Sequence, residues 1–244
     1  MDKETVDSTP DYFFNMFHEI RNALNIMMAS CTMVNKHIDD RERITDHLER
    51  INVSVERITG LIDDILDVYK MEQIKTGLAE KSFSIDKLEE ELKLLLEPLA
   101  VDKKLKFSIS SERFNNREVV GDYDRLLQLL VNLATNSIKY TPCGGNVVLC
   151  FEELKNNDGG TVSCRFICKD DGIGMSQEFI GHIFEPFARA EDERIRGIKG
   201  TGLGMSIVKE IITIMGGKIH IDSTMDAGTT VTAQLCLKKN MRKG

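Results

Sequence analysis

The sequence predicts an α+β protein in which an antiparallel helical hairpin is followed by an α/β sandwich built on a mixed sheet. In the first 76 residues, apolar side chains recur at alternating steps of four and three, which is the period of helices in a bundle. Around Gly77–Ser84 this pattern gives way to short alternating strands that interleave with amphipathic helices. The last strands have short connections, which favours a mixed sheet over a purely parallel one. We therefore predict two domains, residues 1–76 and 77–244.

The hairpin consists of two apolar seams joined by a short charged connection, Asp39–Arg43, which suits antiparallel helices. The first seam comprises Phe13, Phe17, Ile20, Leu24, Met27, Cys31, Val34 and Ile38, and the second comprises Ile44, Leu48, Ile51, Val55, Ile58, Ile62, Ile65 and Tyr69. Two helices alone cannot cover the large side chains that fall outside the seams: Phe14, Met16, Met28, Met33, Leu61 and Leu66. We predict that the hairpin dimerises into a four-helix bundle to bury them.

Each element of the second domain has its own signal. Spaced leucines predict an amphipathic helix over about residues 88–99, and a strand follows near Leu105–Ile109. Asp122 suits the N-cap of a helix that reaches Tyr140 and stops at Thr141-Pro142. The remaining predicted elements are strands at Asn146–Glu152 and Val162–Cys168, a helix near Met205–Met215, and strands at Lys218–Asp222 and Thr229–Leu237.

Composition narrows the classes of function. A net charge of −7, with no basic run beyond Lys238-Lys239 and Arg242-Lys243, argues against nucleic acid as the main partner. The six cysteines form no Cys-x-x-Cys pair, and we interpret them as reduced core residues rather than a disulfide framework or zinc site. No apolar stretch is long enough to span a bilayer, and the N-terminus is no signal peptide. We expect a cytoplasmic chain without membrane contact of its own, which leaves open that it is the cytoplasmic part of a larger membrane receptor.

A histidine beside a carboxylate stands out on the first helix. His18 lies one position past the seam residue Phe17, so a bundle should present its imidazole to solvent. Glu19 is its neighbour, and Asn22, one turn on, shares its face. Such a histidine can act as a nucleophile, because the carboxylate holds one ring nitrogen and leaves the other free to attack. Taken alone, a His-Glu pair on a helix is usually a solvated surface.

The helix that ends at Tyr140 carries a polar stripe of Asn132, Asn136 and Lys139 at steps of four and three. Amide oxygens suit a Mg²⁺ ion that is already held by phosphates, and a lysine suits the phosphates themselves. The alternative interpretation of this stripe is an exposed polar helix face.

Two glycine-rich segments complete the candidate site. In Asp170-Asp171-Gly172-Ile173-Gly174, a carboxylate at a strand end can accept a hydrogen bond from an exocyclic amine, and the glycines let backbone approach a flat ring. An ordinary glycine-rich turn would look the same. Gly200-Thr201-Gly202-Leu203-Gly204 runs into a helix, whose first amides favour an anion. Its spacing fits neither a Rossmann nor a P-loop motif.

The order of these motifs resembles that of the sensor histidine kinases of two-component signalling. The His-Glu helix is followed by Asn-x-x-x-Asn, Asp-x-Gly-x-Gly, Phe184-Glu185-Pro186-Phe187 and Gly-x-Gly-x-Gly, and the resemblance covers residues 11 to 237. It implies a dimerisation and histidine-phosphotransfer domain, followed by an ATP-binding catalytic domain of the Bergerat type. The implied activity is ATP- and Mg²⁺-dependent autophosphorylation of a histidine, relay to an aspartate of a response-regulator receiver domain, and regulator phosphatase activity. The implied assembly is a homodimer.

The resemblance also assigns roles by position. His18 becomes the phosphoryl acceptor and Glu19 the residue that activates it, while Asn22 takes part in removing phosphate from the regulator. Asn136 becomes the Mg²⁺ ligand, and Asp170 reads the adenine amine.

The other implied nucleotide-binding positions are Asn132, Lys139, Tyr140, Gly172, Gly174, Phe187, Arg189, Gly200, Thr201, Gly202, Leu203 and Gly204. A mobile lid is implied from about residue 185 to 200, packed by Phe187, with Arg189 resembling the arginine that reaches the γ-phosphate.

The chain departs from the family pattern at two positions. Ala23 stands where a proline is usual, so we expect a straighter first helix. Lys199 stands where a further glycine is common, which would alter lid mobility. Two other functions stay open: a non-catalytic ATP-binding dimeric module, and an ATPase of the wider Bergerat superfamily, against which the hairpin carrying His18 argues. We expect the sensing half to lie on other sequence or on another protein.

Overall fold

The computed structural model describes residues 9–36, 40–74, 78–154, 159–190, 192, 194 and 202–240. The chain divides into two compact units, residues 1–69 (the hairpin unit) and 70–244 (the sheet unit). The predicted domain boundary after residue 76 falls in a segment outside the described residues and stays a prediction.

The hairpin unit consists of α1 (Thr9–Lys36) and most of α2 (Arg41–Ile74), where the seams predicted two long helices. The Asp40 carboxylate accepts a hydrogen bond from the Arg43 amide at 3.2 Å, which satisfies a free amide in the first turn of α2. Arg57 of α2 donates to Glu19 of α1, and the two residues lie at similar distances from the facing helix ends Arg41 and Lys36. This pairing is what an antiparallel hairpin produces.

Burial divides the predicted seams into two lines. On α1, Ala23 and Ser30 are buried between the half-buried residues Ile20, Met27 and Val34. Among the seam residues that the structure describes, alternate members are instead exposed in the single chain, at a spacing of seven residues: Phe17, Leu24 and Cys31 on α1, and Leu48, Val55 and Ile62 on α2. One line therefore packs within the hairpin, where small side chains permit close approach, and the other faces outward. We call the exposed set the outward line.

The sheet unit is mixed, as predicted. Strands β2 and β4 are parallel, while the other paired strands are antiparallel, in the order β1-β3-β7-β5-β4-β2 with β6 also pairing β7. The elements are β1 (Lys81–Ser84), α3 (Ile85–Asp102), β2 (Lys106–Arg113), β3 (Glu118–Gly121), α4 (Tyr123–Tyr140), β4 (Asn146–Glu153), β5 (Thr161–Asp170), α5 (Gln177–His182), α6 (Gly204–Ile214), β6 (Lys218–Thr224) and β7 (Gly228–Lys239).

Three of these elements were not predicted, namely β1, β3 and α5. Strands β1 and β3 pair with one another. Each has only four residues, which is too short for a periodic pattern to be detected in the sequence. Helix α5 has six residues and follows the N-cap Ser176, whose hydroxyl accepts from the Phe179 amide at 3.2 Å.

The core lies between one face of the sheet and helices α3, α4 and α6. The alternation predicted for β5 is confirmed, because the inward side chains of Val162, Cys164, Phe166 and Cys168 are all fully buried. Phe166 packs edge-on against Phe151 of β4, with ring centroids 5.1 Å apart. At the end of β5, the Ser137 hydroxyl of α4 lies 3.3 Å from Cys168 Sγ, and the candidate site lies there.

All six cysteines are free thiols, but their predicted place in the core is wrong for three of them. Cys164 and Cys168 are buried and Cys150 is half-buried, whereas Cys31, Cys143 and Cys236 are exposed. Cys236 occupies an outward position of the alternating strand β7, and Cys143 lies in a turn, so neighbouring apolar residues do not bury them. Within the described ranges, no cluster of His, Cys, Asp or Glu could hold a metal ion, and no helix is long and apolar enough to cross a membrane.

Candidate functional site

Asp170 forms the floor of the candidate site, at the last inward position of β5. Its Oδ2 accepts from the Ser137 hydroxyl at 2.7 Å, and its Oδ1 accepts from the amides of Gly172 at 3.0 Å and Thr229 at 3.2 Å. Burial disfavours the charged form and raises the pKa of Asp170, although these hydrogen bonds oppose that shift. The carboxylate is therefore a fixed acceptor with little freedom to rotate.

The loop after Asp170 accepts only glycine at two positions. A Cβ on Gly172 would lie 2.7 Å from the Tyr140 carbonyl oxygen, and one on Gly174 would lie 1.8 Å from the Thr224 carbonyl oxygen. Gly174 also has φ +64°, a region that favours glycine. The structure thus packs this loop between the end of α4 and the β6–β7 turn, and it brings Tyr140, Asp170 and Gly172 together.

Asp171 plays a different part from its neighbour. Its side chain is exposed and accepts from the backbone amide of Asn146 at 2.7 Å and from the side-chain amide of the same residue. These hydrogen bonds stabilise the charged form and lower the pKa of Asp171. Asp171 therefore fastens the loop to β4 and leaves Asp170 as the buried acceptor.

The two asparagines of the polar stripe meet the first residue of α6. A Cβ on Gly204 would lie 3.6 Å from Asn136 Nδ2 and 3.9 Å from Asn132 Oδ1. Asn132 Nδ2 is buried without a hydrogen-bond partner in the described part of the chain. The N-cap of α6 is Leu203, a residue without a capping side chain, so the first amides of this helix have no side-chain acceptor from it. An anionic group would satisfy such a set of donors.

The glycine-rich segment before α6 contacts the segment after α5. Gly202 has φ +75°, and a Cβ there would lie 2.6 Å from the Phe187 carbonyl carbon. Phe187 is half-buried with φ +66°, and Arg189 is exposed. Gly200 and Thr201 lie outside the described residues, as does most of the predicted lid from residue 191 onward.

Lys139 is exposed at the end of α4, where a second lysine holds the backbone. The Lys103 ammonium donates to the Ile138 carbonyl at 2.8 Å and to the Lys139 carbonyl, which caps the C-terminus of the helix. Burial lowers the pKa of Lys103.

Sequence reasoning missed Lys103, Ser137 and Thr229. Ser137 carried a signal, since it is a polar residue on the otherwise apolar face of α4. Thr229 contributes only its backbone amide and carried none.

On the hairpin unit, His18 and Asn22 are exposed, as their placement beside the seam predicted. Glu19 accepts a hydrogen bond from Arg57 Nη2 at 3.1 Å. Helix α1 continues through Ala23, which is only 2% exposed.

Two family models match this chain. Residues 13–74 match the His Kinase A (phospho-acceptor) domain, and residues 121–239 match the histidine kinase-, DNA gyrase B-, and HSP90-like ATPase.

Similar curated proteins include the sensor histidine kinase GacS of Pseudomonas protegens, which is 34% identical over 94% of this chain and 25% of its own length. The autoinducer 2 sensor kinase/phosphatase LuxQ of Vibrio harveyi is 29% identical over 98% of this chain and 28% of its own length. The chain therefore spans about a quarter of the length of these relatives.

Solved structures share the fold. The histidine kinase ThkA in complex with the response regulator protein TrrA matches 99% of this chain and 65% of that chain, with 23% identity and a TM-score of 0.68. Full-length ShkA in complex with AMPPNP matches 95% of this chain and 46% of that chain, with 23% identity and a TM-score of 0.65. These likenesses confirm the predicted fold class.

Proposed function

We propose, since this chain belongs to the sensor histidine kinases of two-component systems, that it transfers the γ-phosphoryl group of ATP to His18. It then passes this group to an aspartate of a response-regulator receiver domain. The observation that carries the proposal is a buried carboxylate, Asp170, held by the Ser137 hydroxyl of α4 and by two backbone amides, in a chain that also exposes His18 next to Glu19.

Asp170 supplies the base selectivity of the proposed reaction. Its oxygens are acceptors, so the exocyclic amine of adenine can donate to them, whereas the carbonyl oxygen at the same position of guanine would repel them. Ser137 and the amides of Gly172 and Thr229 hold the carboxylate in place for this contact. We therefore expect ATP to bind and GTP to bind poorly.

The phosphate end of the nucleotide fits the amides around Gly204. The N-terminus of α6 offers backbone donors, and Lys139 adds a positive charge. Asn136, supported by Asn132, would hold Mg²⁺ through its amide oxygen, and the ion would neutralise phosphate charge when bound. Tyr140, Phe187 and Arg189 complete the proposed nucleotide site, together with Gly200, Thr201 and Leu203.

His18 is the proposed nucleophile. One neutral ring nitrogen forms a bond to the γ-phosphorus as the bond from phosphorus to the bridging oxygen breaks, and ADP leaves with that electron pair. The Glu19 carboxylate accepts a hydrogen bond from the other ring nitrogen and stabilises the positive charge that develops on the ring. The remaining acceleration comes from positioning the reactants.

A homodimer and a receiver domain are the proposed partners. The outward line of the hairpin leaves Leu24, Val55 and Ile62 between 44% and 48% exposed, a surface that a second hairpin would cover. Since ATP and receiver domains are found in the cytoplasm, we place the reaction there. We also propose phosphatase activity through Asn22, in keeping with the sensor kinase/phosphatase named among the relatives.

Incubation with γ-labelled ATP tests this function. We expect label that is stable to alkali and labile to acid, and its complete loss in His18→Gln with ATP affinity unchanged. His220→Gln is the matched control. His220 is an exposed histidine of the sheet unit, so this variant should still be labelled. ATP binding without any label would favour the non-catalytic module, and label persisting in His18→Gln would contradict the assignment of His18.

A further inference from the structure

An ion pair joins the two helices of the hairpin next to the proposed nucleophile. Arg57 Nη2 lies 3.1 Å from Glu19 Oε2, and the two side chains are 59% and 48% exposed. Two further ion pairs of this unit, Arg43 with Asp40 and Arg50 with Asp46, join residues within one turn of a helix. The pair of Glu19 and Arg57 instead crosses from α1 to α2.

The sequence around each partner explains why the pair crosses. Side chains on one helix face meet at steps of three and four. At those steps from Arg57, helix α2 offers Val53, Ser54, Gly60 and Leu61, none of which is a carboxylate. At the same steps from Glu19, helix α1 offers Asn15, Met16, Asn22 and Ala23, none of which is a cation. Neither residue has an oppositely charged neighbour on its own helix face, so each finds it on the other helix.

The surface of α2 around Arg57 is open, which leaves room for its side chain to extend to Glu19 on α1. A Cβ on Gly60, one turn further along α2, would meet no atom within 4 Å, and Val53 on the preceding turn is 60% exposed. A guanidinium is planar and more weakly hydrated than an ammonium, which favours a directed contact with a carboxylate. The bond fixes one oxygen of a side chain that would otherwise rotate freely at the surface.

We propose that Arg57 is a positioning residue of the phosphotransfer site, which holds the Glu19 carboxylate beside His18. This inference rests on the proposed function. The carboxylate must face the ring nitrogen that does not attack, and a glutamate on an exposed helix face has several rotamers that point elsewhere. Arg57 acts through Glu19 and needs no contact with the nucleotide.

The test is a double-mutant cycle in the full chain with Glu19→Gln, Arg57→Gln and both together. We expect Arg57→Gln to lower the rate of His18 phosphorylation about two- to fivefold, the range of an exposed ion pair, with the KM for ATP unchanged. In the Glu19→Gln background the same change should have no further effect, because its only route is through that carboxylate. Arg57→Lys, which keeps the charge, should restore part of the rate.

Arg50→Gln is the matched control. Arg50 lies two turns before Arg57 on α2 and pairs with Asp46, so its removal deletes a similar exposed ion pair without touching Glu19. Thermal unfolding of each variant monitors helix loss.

The role of Arg57 would be overturned by an unchanged rate in Arg57→Gln, by effects of Glu19→Gln and Arg57→Gln that multiply independently, or by an equal loss in Arg50→Gln. A wild-type chain that takes no label on His18 would instead overturn the proposed function, and the role of Arg57 with it.

Discussion

At the residue scale, Asp170 carries the sharpest expectation about nucleotide binding. Asp170→Asn replaces one acceptor oxygen by a donor that faces the adenine amine, without changing the size of the side chain. A hydrogen bond to a charged group is worth about 1.5–3 kcal/mol, so ATP affinity should fall about tenfold or more. Calorimetry measures this directly.

Asp171→Asn is the control for Asp170→Asn. It changes an adjacent aspartate that binds Asn146 instead of the site, so ATP affinity should stay close to wild type. Undiminished affinity in Asp170→Asn, or an equal loss in Asp171→Asn, would contradict the placement of adenine on Asp170.

A separate prediction concerns Asn22 and the dephosphorylation of the response regulator. Asn22 shares the exposed face of His18 one turn on, and its amide can both donate to and accept from a water aimed at an acyl phosphate docked over the helix. Asn22→Ala should keep autophosphorylation and phosphotransfer, while a phosphorylated cognate regulator should decay no faster with the variant than alone. Equal dephosphorylation by wild type and variant would show that Asn22 is a solvated surface residue.

At the element scale, the start of α6 needs glycine at two positions for different reasons. Gly202 has a positive φ and no room for a Cβ beside Phe187, so Gly202→Ala should lower the free energy of unfolding of the sheet unit by about 1–3 kcal/mol. Gly204 has only ordinary contacts at 3.6 and 3.9 Å, so Gly204→Ala should fold at least as stably as wild type. Its methyl group, however, enters the space beside Asn132 and Asn136.

We therefore expect Gly204→Ala to weaken ATP binding without loss of stability. Thermal unfolding and nucleotide titration of the two variants separate these effects. Wild-type affinity in Gly204→Ala would show that phosphates do not approach this amide, and wild-type stability in Gly202→Ala would show that the backbone can relax there.

At the scale of the whole molecule, the outward line predicts the assembly. The side chains of Leu24 and Val55 are 44% and 45% exposed on their two helices. Leu24→Glu combined with Val55→Glu should convert a dimer into a monomer, because burying two carboxylates in an apolar interface is strongly unfavourable. Light scattering at micromolar concentration measures the mass.

The control for this double variant is Ile26→Glu with Val53→Glu. These residues are 50% and 60% exposed but lie outside the outward line, so the dimer should persist. A wild-type mass of one subunit would contradict the proposed dimer.

Patterns with enough repeats predicted the larger elements. The bounds expected for α4 and for strands β4 and β5 agree with the structure to within a few residues, because each carries a long periodic pattern or a capping residue such as Asp122. Asp122 accepts from the Arg125 amide at 3.1 Å, as an N-cap does. The short strands β1 and β3 were not predicted, since four residues cannot establish a period.

The sequence by itself determined the fold class, the exposure of His18 and the order of motifs that indicates a histidine kinase, because these properties depend on local spacing and residue type. Only the tertiary structure decided which seam residues pack within one hairpin, which donors converge on Asp170, and which cation holds Glu19. Ser137 and Thr229 reach Asp170 through helix packing and strand register, and Arg57 reaches Glu19 across 38 positions of chain. A periodic pattern predicts which residues are buried. Contacts such as those of Ser137 with Asp170 and of Arg57 with Glu19 depend instead on how distant segments of the chain pack together.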